Sequence, residues 1–196
     1  MSVEPGCVVV GAGLAAAHVV QTLREKGYGE PITLVGQERE RPYERPALSK
    51  EYLQGKLDAD ALYVHGEGWY AEHDIDTAFG RAATSIDRRG ARVLLDSGEP
   101  IGYRHLVLAT GSSPRTPDLP GIDLAGTYTL RTREDSDAIR AGLTERRRVV
   151  VIGAGWIGLE VAAAARHHGN AVTVVEPQPT PLHAVLGAEM GQVFAR

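Results

Sequence analysis

The sequence contains one cysteine, Cys7. One thiol cannot close a disulfide within the chain, nor can it make the two-cysteine pair of a thiol–disulfide redox centre. Long apolar runs are missing as well: no stretch approaches the roughly 20 residues that a membrane-spanning helix needs. The opening "MSVEPGCVVV" has neither a basic start nor an extended apolar run. A secretory leader is therefore not expected, and a cytoplasmic location is. An excess of basic charge is also absent, with 21 Lys and Arg against 25 Asp and Glu and a net charge of −4. Nucleic acid binding calls for a basic footprint, so that class of partner is not expected either. No metal-ligand spacing occurs, and the 7 histidines are scattered, with His167 and His168 reading as an exposed helix end. What is present is a chain of 196 residues, 43% hydrophobic and 23% charged, long enough for one large soluble domain or two small ones.

The strongest pattern is an internal repeat. "CVVVGAGLAAAH" runs from Cys7 to His18, and "RVVVIGAGWIGLE" runs from Arg148 to Glu160. In the first copy the apolar run Val8–Val10 predicts a strand and Leu14–Lys26 a helix. The helix face uses Leu14, Val19, Val20 and Leu23, and Gly27 and Gly29 stop it. Ile32–Val35 predicts the second strand of a βαβ unit. The second copy predicts strand Val149–Ile152, a helix from about Ile157 to His168 ended by Gly169 and Asn170, and strand Ala171–Val175. Between the copies, "RPYERPALSKEYLQG" reads as an extended segment and then a short helix starting near Ser49. The runs "AFGRAATSID" and "ARVLLDSGEPIGYRHLVLATGSSPR" read as short strands with turns at Gly90, Ser97 and Gly98. Ser113–Gly121 reads as a crossing loop, Arg140–Arg148 as a link and "LGAEMGQVFAR" as helical.

Each glycine loop is a candidate phosphate cradle. Gly11, Gly13 and Ala16 occupy the three small positions of the first, and Gly153, Gly155 and Gly158 those of the second. The first position permits the tight turn out of the strand. The second leaves room for a pyrophosphate to approach backbone N–H groups. The third lets helix and strand pack closely. Phosphate then sits at a helix N-terminus, where free N–H groups and the helix dipole favour negative charge. Glu176 closes "VTVVE" where an adenosine ribose is expected. A carboxylate there accepts from both ribose hydroxyls and repels a 2′-phosphate, and no arginine follows closely, so NAD is favoured over NADP. A solvated strand-end glutamate is the alternative. In the first copy Gly36, Gln37 and Glu38 compete for the equivalent place.

Two such loops separated by "LVLATGSSPR" resemble the two-dinucleotide-binding flavoproteins related to glutathione reductase. "RPYERPALSKEYLQG", "YTLRTREDSDAIR" and "PLHAVLGAEMGQVF" narrow the likeness. With them the chain resembles the FAD- and NAD-dependent ferredoxin reductase family, of the putidaredoxin, rubredoxin and biphenyl dioxygenase reductase type. It is also similar to the oxidoreductase domain of apoptosis-inducing factor. The resemblance implies an α/β, Rossmann-like fold, truncated: an FAD-binding βαβ unit in residues 1–140 and the beginning of an inserted NAD-binding domain in residues 141–196. Family members continue for about as long again, so the second unit is expected to be unfinished and prone to self-association.

Residue by residue, the resemblance implies that Gly11, Gly13, Ala15 and Ala16 hold the FAD pyrophosphate. The ribose position falls on Gln37, where the family usually carries Asp or Glu, with Glu38 as a substitute. Arg45 would face phosphate, Lys50 the isoalloxazine, the Ala83 backbone the adenine, and Arg131 the flavin. The turn Ala109, Thr110, Gly111 lies where the chain returns across the FAD. In the second loop Gly153, Gly155, Ile157 and Gly158 would cradle NAD, Trp156 would shield the flavin face until nicotinamide displaces it, and Glu160 would pair with Lys50. The competing assignments are surface ion pairs for Arg45 and Arg131, an exposed helix lysine for Lys50, a packed core residue for Trp156 and an N-terminal helix carboxylate for Glu160.

The implied reaction is hydride transfer from NADH to FAD, then single-electron transfer to an iron–sulfur ferredoxin or a rubredoxin of an oxygenase system. Lys50 and Glu160 would be its catalytic pair, tuning the flavin. A non-turnover FAD-binding module, like the interaction role of apoptosis-inducing factor, is the alternative.

Overall fold

The structure is a computed structural model, and it describes residues 5–143 and 146–195. The chain divides into two compact units, Met1–Glu44 with Leu62–Ser112, and Arg45–Ala61 with Ser113–Arg196.

The first unit is built on a six-stranded sheet of order β3-β2-β1-β6-β5-β4. Its strands are β1 (Gly6–Val10), β2 (Ile32–Gly36), β3 (Ile75–Phe79), β4 (Ala83–Asp87), β5 (Arg92–Leu95) and β6 (Pro100–Leu108). β1 pairs in parallel with β2 and β6, and β2 in parallel with β3. All five residues of β1 are buried, which is why its sequence is an unbroken apolar run rather than an alternation. Cys7 lies in this strand, where burial pushes its thiol above the ordinary value. β6 serves two pairings. Pro100–Gly102 run antiparallel to β5, and Tyr103–Leu108 run parallel to β1. At the β4–β5 turn the Asp87 carboxylate accepts from the N–H groups of Arg89 and Gly90 at 3.1 and 2.9 Å, an Asx turn.

Helix α1 (Leu14–Glu25) packs on this sheet through Ala16, Ala17 and Val20, all 0% exposed, with Val19 and Leu23 at the margin. Leu14, expected on the same face, is instead turned outward and is 39% exposed. Small side chains bring the helix close to the strands, and the longer Leu14 has no room beneath. Arg24, in the last turn, donates to the carbonyls of Tyr28, Glu30, His73 and Asp74 at 2.5–2.9 Å. It joins α1 to the end of the short helix α2 (Trp69–Glu72). Nothing in the local sequence singled it out.

In the second unit β7 (Arg148–Ile152) and β8 (Ala171–Val175) form a two-stranded parallel pair. They are accompanied by α3 (Arg133–Gly142), α4 (Trp156–His167) and α5 (His183–Phe194). Val149 and Val172 pack on a core of Leu53, Ile139, Leu143, Ala164 and Ala165. Val150 and Ile152 face away and are 62% and 56% exposed. Gly169 ends α4 at φ +80°. Asn170, 0% exposed, receives the Arg147 N–H on Oδ1 at 2.9 Å and donates from Nδ2 to the carbonyls of Leu143 and Ala165 at 3.0 and 3.1 Å.

Four local expectations need correction. The helix expected from Ser49 is a 3₁₀ turn that ends there, Pro46–Ser49, because Pro46 lacks an N–H and starts a turn rather than continuing one. The expected link Arg140–Arg148 is partly regular: Arg140 belongs to α3 and Arg148 opens β7, while Thr144 and Glu145 lie outside the described residues. The terminal helix begins earlier than expected, at His183, and is broken at Gly187, whose φ of +77° is not helical. His168 is not simply an exposed helix end: its Nε2 meets the Leu53 carbonyl at 2.9 Å.

Candidate functional site

The first loop begins where Gly11 leaves β1 with φ +108°, its N–H on the Val35 carbonyl at 2.8 Å. A Cβ at Gly11 would strike the backbone carbonyl of Ala109, so the loop and the turn Ala109–Gly111 approach as closely as backbones can. Ala109 N–H donates to the Val10 carbonyl at 2.7 Å, and Gly111 has φ +68°. Gly13 differs: a Cβ there would meet nothing within 4 Å. The first helical bond of α1 is Ala17 N–H to Gly13 carbonyl at 3.1 Å, and no side chain caps the helix. The N–H groups of Leu14, Ala15 and Ala16 therefore have no acceptor in the helix, and the Cβ position of Gly13 ahead of them is open. This geometry fits a pyrophosphate.

The second loop repeats these features. Gly153 has φ +99° and donates to the Val175 carbonyl at 2.8 Å. A Cβ at Gly155 would meet nothing within 4 Å, and one at Gly158 would strike the Gly153 carbonyl. The first bond of α4, Leu159 N–H to Gly155 carbonyl at 3.0 Å, leaves the N–H groups of Trp156, Ile157 and Gly158 without an acceptor in the helix. The third small position thus requires glycine here, whereas the first loop accommodates the buried Ala16.

Glu176 stands at the end of β8. Its Oε2 accepts the Ala154 N–H at 2.7 Å and its Oε1 the Gln178 N–H at 2.9 Å. These two bonds, Ala154's first, hold the carboxyl below its ordinary value. Such a group lends stability that is fully present above the unfolded-state value, about 4.3 for glutamate, and is lost as pH falls through the lower folded value. Unfolding midpoints of the protein and of Glu176→Gln should therefore differ near neutral pH and converge below about pH 4. A gap that persists unchanged into acid would contradict the role of the charge.

In the first unit the register identifies the counterpart of Glu176. Val35 pairs with Val10 as Val175 pairs with Ile152, so the residue following is Gly36. A Cβ at Gly36 would meet the Ala12 Cβ at 2.5 Å, and no side chain fits. A polar group can come only from beyond. Gln37 is exposed, and Glu38 is half-buried and accepts the Tyr43 hydroxyl. Ala83 opens edge strand β4, paired with Leu95.

Within the second unit the structure brings Lys50 and Glu160 together, although 110 positions separate them in the sequence. Lys50 Nζ lies 3.0 Å from Glu160 Oε1 and 3.2 Å from the Pro46 carbonyl. The turn carrying Lys50 is fixed from α3. Thr132 and Asp135 form a capping box, in which the Thr132 hydroxyl accepts the Asp135 N–H and the Asp135 carboxylate accepts the Thr132 N–H. Asp135 also accepts the Arg131 N–H at 2.9 Å. From this end, the buried Ser136 donates to the Leu48 carbonyl at 2.8 Å, and the Arg131 carbonyl accepts Arg45 Nη1 at 2.6 Å. Tyr52 donates to Asp137 at 2.7 Å. Arg45 and Arg131 are thus neighbours, joined through the Arg131 backbone carbonyl. Trp156 is 48% exposed, not a core residue, and meets Phe194 edge-on at 6.0 Å. Sequence reasoning missed Ser49, Ser136 and Phe194. A Thr-x-x-Asp pair ahead of "SDAIR" was the one local signal for this scaffold. Among the described residues no group of His, Cys, Asp and Glu could hold a metal, and no helix is long and apolar enough to cross a membrane.

Comparison with known proteins gives the setting of these loops. Residues 5–196 match the family model described as pyridine nucleotide-disulphide oxidoreductase. Rhodocoxin reductase of Rhodococcus erythropolis is 40% identical over 188 residues, covering 96% of this chain and 44% of that protein. The anthranilate 1,2-dioxygenase system ferredoxin–NAD(+) reductase component of Burkholderia cepacia is 42% identical over 191 residues, covering 97% and 47%. The covalent putidaredoxin reductase–putidaredoxin complex contains a chain that superposes with a TM-score of 0.91 at 38% identity, covering 99% of this chain and 47% of that one. The chain thus spans under half the length of these relatives.

Proposed function

This chain belongs to the pyridine nucleotide-disulphide oxidoreductase family, and from that premise we propose that it forms part of an NADH-dependent reductase holding FAD and passing electrons to an iron–sulfur ferredoxin or a rubredoxin. The observation that carries the reading is the pair of uncapped helix N-termini, each behind a glycine whose Cβ position is open. Two such cradles in one chain suit two dinucleotides. Within these 196 residues the single cysteine leaves no redox pair of the kind the disulfide-reducing branch of the family uses. The relatives named as ferredoxin reductases, and the one solved with putidaredoxin, support the choice of acceptor.

Under this reading residues 1–140 serve FAD and residues 141–196 begin the NAD-binding part. The division follows which cofactor a residue serves, not which residues pack together. The N–H groups of Ala15 and Ala16 at α1 receive the FAD pyrophosphate over Gly11 and Gly13. Gln37 and Glu38 offer polar groups to the ribose, the Ala83 backbone meets adenine, and Ala109, Thr110 and Gly111 bound the cofactor. Arg45 neutralises phosphate, and Arg131 and Lys50 stand towards the flavin. The N–H groups of Trp156, Ile157 and Gly158 receive the NAD pyrophosphate over Gly153 and Gly155, and Glu176 takes the ribose. Bound FAD supplies the conversion between two-electron exchange with NADH and one-electron exchange with the acceptor. The protein's own work is placement. Trp156 covers the face that nicotinamide must reach, and Glu160 holds the Lys50 ammonium in place. The absence of a long apolar helix among the described residues accords with a cytoplasmic enzyme.

The reading is tested by steady-state reduction of a ferredoxin-type acceptor with each nicotinamide in turn. NADH should exceed NADPH in kcat/KM by tenfold or more, on the order of 1.4 kcal/mol of discrimination at the ribose. A preference for NADPH would overturn the role of Glu176. FAD retained without turnover by either would favour a binding module.

A further inference from the structure

Ser49 is the last residue of the Pro46–Ser49 turn and is 4% exposed. Its hydroxyl lies 2.5 Å from Glu160 Oε2, while Lys50 Nζ lies 3.0 Å from Oε1 of the same carboxylate. The carboxylate is therefore gripped on both oxygens by consecutive residues of one turn. The two grips are unequal. Lysine has a long, freely rotating stem, and the Lys50 side chain is 41% exposed. Serine has one rotor, and its turn is tied to α3 by the buried bond from Ser136 to the Leu48 carbonyl. Ordering a lysine ammonium costs side-chain entropy that a half-exposed ion pair barely offsets. Ordering a short buried hydroxyl costs little.

We propose that Ser49 is a positioning residue: by fixing the Glu160 carboxylate through Oε2, it holds Oε1 where it gathers the Lys50 ammonium towards the flavin. This rests on the function proposed above, in which Lys50 and Glu160 stand beside that cofactor. Without the hydroxyl, the carboxylate rotates into water and Lys50 loses its anchor. NADH binding, which uses the helix N-terminus and Glu176, is unaffected.

Two measurements test it. In the cofactor-free chain, unfolding midpoints are compared for the parent, Ser49→Ala, Glu160→Gln and the double variant. The two single losses should be non-additive, with the double variant losing clearly less than their sum. Additive losses would overturn the contact. In the FAD-loaded protein, rapid mixing with NADH should show Ser49→Ala lowering the limiting rate of flavin bleaching at least about fivefold, with the apparent Kd for NADH unchanged. In a Glu160→Gln background the same change should add no further slowing, and Ser49→Thr, which restores a hydroxyl, should recover most of the rate. Normal bleaching in Ser49→Ala would overturn the positioning role, as would a slowing that multiplies with that of Glu160→Gln. Parent protein whose flavin NADH does not bleach would overturn the underlying function instead, and the two failures are distinct.

Discussion

Replacing Gly11 with alanine should remove the flavin and destabilise the fold together, whereas replacing Gly13 should remove the flavin alone. Gly11 has φ +108°, a conformation that costs an L-residue about 1–3 kcal/mol. Its new Cβ would also meet the backbone carbonyl of Ala109, and neither partner is a flexible side-chain end. The loop must shift, breaking the bond from Gly11 N–H to the Val35 carbonyl. A total loss of about 2–4 kcal/mol is expected, a large share of a small domain's stability. Gly13 has φ −97° and open space at its Cβ position, so alanine is tolerated by the empty protein. The same methyl would occupy the ground a pyrophosphate needs. Losing one or two charge-assisted bonds of about 1.5–3 kcal/mol each weakens FAD binding by roughly ten- to a thousandfold or more. Calorimetric unfolding and flavin absorbance per chain, measured on both variants, separate the two effects. Equal stability of the two empty variants would refute the backbone argument, and flavin retained by Gly13→Ala would refute the cradle.

The second large effect is expected at Asn170, a residue with no place in the chemistry. Alanine there would orphan the Arg147 N–H and the Leu143 carbonyl, at the start of β7 and the end of α3, while the Ala165 carbonyl would keep its bond from the backbone N–H of residue 170. Buried groups left unpaired cost about 1–3 kcal/mol each, so Asn170→Ala, which unpairs two, should lose about 2–6 kcal/mol. Asn170→Asp should be nearly as damaging, because it turns the donor facing two carbonyls into an acceptor. Denaturant unfolding checks both. A loss under about 1 kcal/mol would mean that water replaces the side chain.

The parts of this protein that were legible in the sequence are those governed by short-range rules. A β-branched run, a glycine demanded by positive φ and an alanine-rich helix state themselves locally, as at Val8–Ala17 and Val149–Ala165. Helix α3 does not. Ile139 is one of only two buried residues along it, and its other nine positions are mostly charged or small. Its end is set by the capping box at Thr132, and its place by the bond Ser136 gives to Leu48 and the bond Asp137 receives from Tyr52, 88 and 85 positions away. The turn at Ser49 was obscured for the same reason, since a proline-led segment becomes rigid only once α3 holds it. Lys50 and Glu160 were paired through a family resemblance, while the serine beside Lys50 was invisible: a lone hydroxyl gains meaning only from what it faces. Gly36 shows the reverse case. Strand register, not composition, explains why the first loop has no carboxylate where the second has Glu176.

If one chain cradles FAD on its first glycine loop and meets NADH on its second, NADH must reduce the flavin that the same chain holds. Anaerobic mixing of the FAD-loaded protein with one equivalent of NADH tests it most directly, followed at the flavin absorbance. Rapid bleaching by NADH and slow bleaching by NADPH are expected, with the NADH reaction lost and the bound flavin retained in Gly155→Val. Flavin that stays oxidised in the presence of NADH, or that bleaches equally in Gly155→Val, would contradict it.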